Sequence, residues 1–402
     1  MKVLVVGGGI IGASCAALLA ERGANVTVMD AGAPRFGTSL ANAGHIVVSH
    51  SIPMAAPGMV GQGLRSLVSR DGAFAVAANS GRGTLGWLLA FARHCTQANV
   101  NDLQPGMDEL LRRSAELLMA DPHVATTKTG LWQVFTSSRE RADAEAEHLR
   151  HHGVRVREVP DHELRAEPGL TANVHAAIEL SEDFGVDPEA LWHRMRHRSE
   201  AAGAFWSEGI VSDLRDVDAD LVVLAAGTWS PATARSLGVE LPVRAAKGYS
   251  VTISGEWNQP TRPMLLMDQR TALTPLPGSA TSGAVGNRLR LSARYEITRA
   301  DDRVIARHRI GALIDRARMA VELPAEVGDV KPWTGVRPAS IDGAPYIGFL
   351  PRRLRTQVLV ATGHGMIGTA MAAGTADLVT RLTFGEPVSV AEARLSPERL
   401  FS

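Results

Sequence analysis

The residues of this 402-residue chain that could do chemistry are a glycine-rich turn near its start, another near its end, and one arginine between them. Gly7, Gly9 and Gly12 form a G-x-G-x-x-G pattern between an apolar run and an alanine-rich segment. In such a turn the first glycine permits the tight bend and the second admits a pyrophosphate. The third lets helix and strand pack closely. The pattern predicts a nucleotide site at a helix start, where free amides face the phosphates.

An acid in the expected place supports this interpretation. Asp30 closes the second predicted strand, about 20 residues after the glycines, where a carboxylate accepts hydrogen bonds from ribose hydroxyls. A glycine-rich turn that only packs a helix against a strand would not explain this acid. The first thirty residues therefore predict a dinucleotide-binding βαβ unit.

The second glycine-rich turn contains Gly363, Gly365 and Gly368 and precedes another predicted helix. A helix start aimed at a flavin ring would stabilise negative charge on the reduced ring. The same spacing is also compatible with a second nucleotide site or a plain strand-to-helix turn. A second nucleotide site is disfavoured, because only Val388–Val390 is available as a following strand.

Small residues favour FAD over NAD as the bound nucleotide. Thr38, Ser39 and the run Ala41–Gly44 follow the second strand, where larger side chains would block a flat ring. Without a separate site for a nicotinamide nucleotide, a flavin enzyme takes its electrons from an organic substrate. The prediction is non-covalent FAD and a small-molecule substrate.

The elements that must position these turns follow from hydrophobic periodicity. Apolar runs predict buried strands at the start, middle and end of the chain: Val3–Val6, Val26–Met29, Leu221–Ala225 and Val358–Val360. The predicted fold class is α/β, with two domains: a Rossmann-type FAD-binding domain and an inserted mixed β-sheet substrate domain. The predicted cofactor domain comprises roughly residues 1–80, 150–240 and 330–402, and the substrate domain roughly 81–149 and 241–329.

Composition excludes several classes of function. The 42 basic and 42 acidic residues balance, so nucleic acid is not an expected partner. The chain has two cysteines, Cys15 and Cys95, which predicts a reducing compartment. The sequence contains no cluster of potential metal ligands, so we expect no metal site. The chain has neither a leader pattern nor an apolar run of membrane-spanning length. We therefore expect a cytoplasmic protein. Peripheral contact with the inner membrane through surface loops is compatible with this expectation.

Further motifs are spread over nearly the whole chain. They are Thr38–Gly44, Met54–Gly58, Leu224–Ser230, Lys247–Ser250, Trp333–Pro338, Asp342–Pro345 and Thr362–Gly365. Together with Gly7–Gly12, and in this order, they resemble the FAD-dependent D-amino acid oxidase superfamily, which includes glycine oxidase, sarcosine oxidase and bacterial D-amino acid dehydrogenase.

The resemblance implies a set of cofactor contacts. They are Gly7, Gly9, Ile10, Ile11, Gly12, Asp30, Ala31, Thr38, Ser39, Ala43, Gly44, His45, Val211, Ala226, Gly227, His364, Gly365, Met366, Ile367, Gly368 and Thr369. The chain departs from the family pattern at Asp30, where glutamate is more usual, and over His45–His50, which is a stretch expected to face the substrate.

Four residues are candidates for the chemistry itself. Arg337, in the motif Trp-x-Gly-x-Arg-Pro, matches a substrate carboxylate in charge and in bidentate geometry, although a structural salt bridge would also explain it. Tyr249 could reach the same carboxylate or be a half-buried strand residue. His45 could contact the flavin or cap its loop. His364 could hydrogen-bond to the backbone at the helix start or take part in catalysis.

Three hypotheses about function remain open. The first is oxidation of the Cα–N bond of a D-amino acid to an imine, which water hydrolyses to a 2-oxo acid and ammonia. The second is oxidation of glycine or an N-substituted glycine. The third is a non-catalytic flavin-binding or electron-transfer subunit. Oxygen and a quinone are both candidates for the electron acceptor, and neither the oligomeric state nor the substrate follows from the sequence.

Overall fold

The computed structural model describes residues 1–32, 38–68, 72, 74–127, 130–276, 287–324, 329–350 and 356–401. The strands of these residues are, in chain order, β1 Lys2–Val6, β2 Asn25–Asp30, β3 His45–Ile46, β4 Phe74–Val76, β5 Leu131–Phe135, β6 Val156–Glu158, β7 Ala176–Leu180, β8 Phe184–Gly185, β9 Phe205–Glu208, β10 Leu221–Leu224, β11 Val243–Gly255, β12 Met264–Leu266, β13 Thr271–Leu276, β14 Asn287–Thr298, β15 Asp329–Ser340, β16 Tyr346–Phe349 and β17 Gln357–Thr362.

Helices connect and cover these strands. The α-helices of the described residues are α1 Ile10–Glu21, α2 Met59–Val68, α3 Thr84–His94, α4 Gln97–Ala120, α5 Arg139–His151, α6 Asp161–Ala166, α7 Pro188–Ala201, α8 Ser230–Ala234, α9 Arg307–Ala317, α10 Gly368–Thr383 and α11 Val390–Ala393. In the part of the chain that the structure describes, no helix is long and apolar enough to cross a bilayer.

The first sheet has six strands in the order β16, β17, β10, β1, β2, β9. Its strands run parallel from β17 to β9, and only β16 is antiparallel. Every residue of β10 is buried, as expected of a central parallel strand covered on both faces. Helix α1 packs against α7 and α10, which cover one face. The prediction of one sheet assembled from the start, middle and end of the chain is confirmed.

The second sheet runs in the order β15, β11, β14, β13, β12, β5, β7, β6, and β4 pairs with β14. One face of its central strands is apolar and buries Tyr249, Val251 and Leu291 against Ile310 and Leu313 of α9. The opposite face is more polar and faces the segment that follows β2. Thr274 and Arg290 on that face donate hydrogen bonds to the backbone of Leu40 to Ala43.

The sheet assignments differ from the expected domain boundaries at three places. Residues 74–76, 156–180 and 330–340 were expected in the cofactor domain, but β4, β6, β7 and β15 belong to the second sheet. Strand β7 pairs with β5, and β15 pairs with β11, so their membership depends on distant partners that local periodicity does not reveal. We propose that the two domains are divided by sheet membership.

A buried carboxyl group lies where the small sheet of β3 and β8 begins. Asp183 accepts hydrogen bonds from the backbone N–H of Ser49, at 3.0 Å, and from its hydroxyl group. Burial raises the pKa of this carboxyl from 3.8 to about 7, because the hydrogen bonds from Ser49 offset only part of the lost hydration. The folded protein therefore binds a proton here that the unfolded chain has already released.

This raised pKa predicts a pH-dependent stability. Because the folded state binds more protons between about pH 4 and pH 7, the free energy of unfolding falls as pH rises through that window and then levels off. Asp183→Asn removes the titrating group and therefore this pH-dependent loss. The free energy of unfolding of the variant minus that of the wild type should therefore increase by about 3 kcal/mol between pH 4.5 and pH 8. Denaturant unfolding at the two pH values measures it, and an equal difference at both would contradict it.

Candidate active site

The turn between β1 and α1 can only be built from glycine at two of its positions. Gly7 has φ +104°, and a Cβ on it would lie 2.6 Å from the carbonyl oxygen of Ala225. A Cβ on Gly12 would lie 1.8 Å from the carbonyl oxygen of Gly7, so the third glycine is what allows α1 to approach β1. The turn therefore presents bare backbone at the start of a buried helix.

Two side chains from the neighbouring segment hold this turn in place. Asp30, at the end of β2, accepts a hydrogen bond from the Gly8 backbone N–H at 2.6 Å. The Ser39 hydroxyl accepts one from the Ile10 backbone N–H at 2.9 Å, at the start of α1. The segment that begins at Thr38 is thereby fixed beside the helix start, as a cofactor-binding segment must be.

The second glycine-rich turn opens into the same cavity as the first. This cavity has a volume of about 500 Å³ and reaches from Gly7 and Gly9 to Gly365 and Gly368. The two turns thus line one cavity, and this favours a single ligand over a second nucleotide site. Val390 begins α11 and Ser389 caps it, so Val388–Val390 does not form the strand that a second nucleotide unit would need.

Arg337 lines the same cavity from β15. Its guanidinium lies across Gly248 of β11, where a Cβ would be only 2.0 Å from Nη1. Nη1 donates a hydrogen bond to the Arg294 carbonyl at 3.0 Å, which orients the side chain. Burial lowers the pKa of Arg337, but a guanidinium remains charged at physiological pH. A desolvated cation beside a cavity is suited to bind a carboxylate.

These residues fit an FAD. At Gly7 and Gly12 a Cβ would meet backbone, so the turn stays bare where a pyrophosphate would approach the amides, and Asp30 stands beside it. The start of α10 would meet the other end of a dinucleotide whose flavin carries charge when reduced. Unpaired buried donors are also present beside Thr38: the Trp333 indole N–H has no partner among the described residues.

Comparison with known proteins agrees with this fit. A protein-family model described as "FAD dependent oxidoreductase" matches residues 2–382. This chain belongs to that family. The oxidoreductase is similar to the D-amino acid dehydrogenase of Rhodopseudomonas palustris strain HaA2, with 31% identity over 422 aligned positions, 96% of this chain and 95% of the relative. The family and this relative make it an FAD-dependent enzyme that acts on amino acids.

Solved structures share the fold of this oxidoreductase. Glycine oxidase from Geobacillus kaustophilus superposes with a TM-score of 0.71 at 23% identity, covering 98% of this chain and 97% of the other. Iminodiacetate oxidase from Chelativorans sp. BNC1 gives a TM-score of 0.68 at 20% identity, with 98% and 99% coverage. At these identities the likeness concerns the fold, and it confirms the expected α/β architecture.

Most of the residues expected to contact the cofactor meet at the cavity of the oxidoreductase. Those that line it are Gly7, Gly9, Ile10, Ile11, Asp30, Ala31, Thr38, Ser39, Val211, Ala226, Gly227, His364, Gly365, Met366, Gly368 and Thr369, together with Arg337. They come from three distant parts of the chain, so their convergence supports the predicted site.

Five of the predicted cofactor residues do not line the cavity. Gly12 lies beneath the turn, and Ile367 precedes α10 and packs on the core. The Ala43 and Gly44 carbonyls accept hydrogen bonds from Thr274 and Val186, so this stretch is joined to the substrate side. His45 lies beyond them, and its Nε2–H donates to the Leu273 carbonyl at 3.1 Å. These residues therefore support the backbone beside the cavity without lining it.

Both candidate histidines are neutral at physiological pH, and each ring makes a hydrogen bond within the protein. Burial lowers the pKa of His45 to about 4 and that of His364 to about 3. His364 shares a hydrogen bond of 3.0 Å with the Thr375 hydroxyl of α10, although it also lines the cavity. The placement of His45 favours the loop-capping alternative over a catalytic role.

Tyr249 is not brought to the cavity. Its ring is buried with Val251, Leu291 and Leu313 on the apolar face of the second sheet, and the cation of Lys247 lies 5.4 Å from its centroid. Arg337 pairs with Ala246, three residues along β11, so its side chain and that of Tyr249 leave opposite faces of the sheet. The expectation that Tyr249 contacts a substrate carboxylate is corrected by this register.

Sequence reasoning missed several residues at the site. Asn42, Trp229, Thr233, Asp301 and Arg303 line the cavity, and Tyr295 lies beside Arg337. The sequence pattern could have indicated two of these residues. Asn42 lies within the run of small residues, and Trp229 follows the central strand. No motif contains Arg303 or Tyr295, whose positions depend on the pairing of β14 with its neighbours.

Proposed function

We propose that this protein oxidises the Cα–N bond of a D-amino acid to an imine, which water hydrolyses to a 2-oxo acid and ammonia. The observation that carries the proposal is that the Arg337 guanidinium, whose pKa burial lowers, lines the same cavity as the glycine turn that follows β1. The D-amino acid dehydrogenase relative supports this choice of substrate. A non-catalytic subunit would not need a buried cation at this position.

The chain's own residues would position the substrate and control charge. When bound, FAD would accept a hydride, with its two electrons, from the substrate's Cα–H bond as the Cα–N bond becomes a C=N bond. Arg337 binds the carboxylate through two parallel hydrogen bonds and fixes which face of Cα points towards the flavin locus. The positive end of α10 stabilises the negative charge left by reduction. The substrate amine must be neutral, so water accepts its proton before oxidation.

A second candidate is oxidation of glycine or an N-substituted glycine, with release of glyoxylate and an amine or ammonia. Two features favour it. The stretch Trp333–Gly348 resembles glycine oxidase, and His45–His50 departs from the dehydrogenase pattern. His45 and its neighbours contact the substrate side of the molecule through Leu273, so this departure falls where specificity could change.

Anaerobic bleaching of the flavin separates these proposals. Purified holoenzyme is mixed without oxygen with D-alanine, other D-amino acids, their L-enantiomers, glycine, sarcosine and longer N-alkylglycines. Bleaching by D-amino acids alone supports the first proposal, and bleaching by N-substituted glycines alone supports the second. A flavin that stays yellow with every compound would leave only the non-catalytic alternative.

The electron acceptor can be tested on the same sample. Either oxygen or a quinone would complete the cycle, and the cavity does not favour one of them by its lining residues. Admitting air to the bleached enzyme and following recovery of the yellow colour measures the oxygen reaction. Recovery within one turnover time indicates an oxidase, and recovery only with added quinone indicates a dehydrogenase.

We further propose a cytoplasmic location with peripheral membrane contact through α3. Leu85 and Leu89 on its outer face are 71% and 56% exposed, and the exposed Arg82 and Arg93 flank them. Apolar side chains between cations are what an anionic bilayer surface binds. Leu85 and Leu89 lie four residues apart, one above the other, so they would enter the surface together.

Vesicle sedimentation tests this location. We expect the protein to sediment with vesicles containing anionic lipid. Leu85→Ser with Leu89→Ser should lower the partition coefficient at least about tenfold, because full burial of a leucine contributes about 1.5–3 kcal/mol and even partial burial of two exceeds about 1.4 kcal/mol. Vesicles of neutral lipid serve as the control for charge. Equal binding of the double variant would contradict the assignment to α3.

A further inference from the structure

An arginine in β14 occupies a backbone conformation that favours glycine. The register of β14 with β11 shifts beside Gly248, so that two residues, Arg294 and Tyr295, lie opposite this one glycine. Such an arrangement is a β-bulge, which we call the bulge at Arg294. Arg294 has φ +76°, in the left-handed region, where a bulge residue is normally glycine because a Cβ is strained there. A strained backbone of this kind persists only where surrounding contacts hold it.

The Arg294 side chain supplies contacts that hold this conformation. Its Nε–H donates a hydrogen bond to Glu296 Oε2 at 3.1 Å, and its Nη1 donates one to the Gly72 carbonyl at 3.2 Å. The side chains of Arg294 and Glu296 are only 12% and 18% exposed, so solvent screens their ion pair weakly. Gly72 packs in turn against α2, since a Cβ on it would lie 2.2 Å from the Ser66 carbonyl oxygen. The guanidinium therefore connects the bulge to its own strand and to the last turn of α2.

The backbone of the same residue orients Arg337. The Arg294 carbonyl accepts a hydrogen bond from Nη1 of Arg337 at 3.0 Å. Opposite the bulge, Gly248 leaves room for this guanidinium, because a Cβ there would lie 2.0 Å from Nη1. A carbonyl turns with the φ of its own residue, so a return of Arg294 to the usual negative φ would move the acceptor away from Nη1. The bulge thus supplies both the space and the acceptor that fix Arg337.

We propose that Arg294 is a positioning residue for Arg337: its guanidinium holds the strained φ, and that φ directs the carbonyl that fixes the Arg337 side chain. Arg294 is not among the residues that line the cavity, so it acts through Arg337 and not on the substrate. This inference rests on the proposed function, because it concerns the group that would bind the substrate carboxylate.

Alanine and glycine at position 294 separate the effect of the backbone from that of the side chain. Arg294→Ala removes both anchors and keeps a Cβ, so its backbone should relax to negative φ. Arg294→Gly removes the same anchors and the same charge, but glycine adopts φ +76° without strain. The carbonyl should therefore leave Arg337 in the alanine variant and stay near it in the glycine variant. A guanidinium with a merely structural role would give equal effects for the two substitutions.

Binding of acetate to the oxidised holoenzyme tests the position of Arg337 without turnover. Acetate supplies a carboxylate and no oxidisable C–N bond, and the flavin absorbance spectrum reports its binding. We expect Arg294→Ala to raise the dissociation constant of acetate about fivefold, because Arg337 loses one orienting hydrogen bond. Arg294→Gly should raise it less than about twofold, since that hydrogen bond remains. If the alanine variant does not retain FAD, Arg294→Gln replaces it, because glutamine also keeps a Cβ but has neither the charge nor the planar fork.

Arg270 provides the matched control. It also has a positive φ, +50°, and its Nη1 donates a hydrogen bond to the Ser66 hydroxyl of α2 at 3.4 Å. Among the described residues, the acceptor of the Arg337 guanidinium is the carbonyl of Arg294 and not that of Arg270. Arg270→Ala should therefore lower the thermal midpoint but change the acetate dissociation constant less than about twofold.

Arg337→Ala completes the series. Weaker acetate binding in Arg337→Ala and Arg294→Ala, with Arg294→Gly and Arg270→Ala close to the wild type, supports the assignment. In Arg294→Ala the KM for the preferred amino acid should then rise by a factor similar to that of the acetate dissociation constant, at unchanged FAD content. Equal effects of alanine and glycine at position 294, or of Arg294→Ala and Arg270→Ala, would overturn the assignment. If Arg337→Ala binds acetate weakly but Arg294→Ala binds it as the wild type does, only the role of Arg294 fails. If Arg337→Ala binds acetate as the wild type does, the proposed function loses its carboxylate anchor and the role of Arg294 fails with it.

Discussion

Replacing Arg337 by alanine lowers kcat/KM for the preferred amino acid by about 30- to 1000-fold, equivalent to about 2–4 kcal/mol of transition-state stabilisation. The substrate carboxylate loses its charged partner in a place where burial already lowers the arginine's pKa, so water replaces that partner poorly. FAD content should not change, because the substitution leaves the backbone of both glycine turns intact, including the hydrogen bond from the Gly365 N–H to the Pro338 carbonyl of β15. Steady-state kinetics with a flavin-to-protein absorbance ratio measures both quantities.

Two further variants show whether the loss comes from the guanidinium itself. Arg337→Lys keeps the charge but loses the planar fork, and should recover only part of kcat/KM. Gly248→Ala keeps Arg337 but places a Cβ 2.0 Å from its Nη1, so the side chain must move and activity should fall although no charge is removed. Wild-type kcat/KM in Arg337→Ala would exclude Arg337 from the site. Wild-type activity in Gly248→Ala would show that its position tolerates displacement.

The elements near the cradle could be predicted from sequence because the information is local. The runs at Val3–Val6 and Leu221–Ala225, and the glycines between strand and helix, each specify their own conformation. Parallel strands with adjacent carboxyl ends then bring the two glycine turns to one edge of the sheet. This is why Gly7, Gly227 and Gly365 meet in one cavity although more than 350 positions separate the first from the last.

The substrate side was less predictable because strand register is not local information. A pattern of alternating residues does not say which face of β11 meets the cofactor, and a one-residue bulge in a partner strand reverses the answer for everything beyond it. Tyr249 belongs to a motif and Tyr295 does not, yet the bulge at Arg294 gives Tyr295 the position beside Arg337. Motif membership therefore pointed to an arginine that lines the cavity and to a tyrosine that does not, and the role of Arg337 stays a prediction.

The same bulge links specificity to the fold. Arg294 supplies the carbonyl that orients Arg337 and contacts Gly72 through its own guanidinium, so the backbone after α2 is connected to the proposed carboxylate anchor. Arg290, four residues earlier, connects the same strand to the backbone of Leu40 and Asn42 on the cofactor side. One strand thus fixes the distance between the segment beside the flavin locus and the carboxylate anchor. That distance decides where Cα of a bound amino acid lies.

Replacing Gly12 by alanine should abolish retention of FAD. The new Cβ would lie 1.8 Å from the Gly7 carbonyl oxygen, and both partners are backbone, so α1 must move away from β1. Overpacking of this kind costs about 1–3 kcal/mol or more, which weakens FAD binding by tenfold upwards because the amides of α1 no longer face the phosphates. The flavin-to-protein absorbance ratio after gel filtration measures the loss.

A graded series distinguishes loss of the cradle from general misfolding. At Gly9 a Cβ meets only the Ser39 hydroxyl at 3.2 Å, so Gly9→Ala should weaken FAD binding less than Gly12→Ala, whereas the branched side chain of Gly9→Val should abolish it. Gly86→Ala, in exposed α3 with nothing within 4 Å of the added carbon, is the matched control and should retain FAD with a stability gain of up to about 1 kcal/mol. If Gly12→Ala stays fully yellow, the turn after β1 is not the cradle. If the three cradle variants lose FAD in the expected order while circular dichroism shows a folded protein, the 1.8 Å and 3.2 Å contacts account for the order.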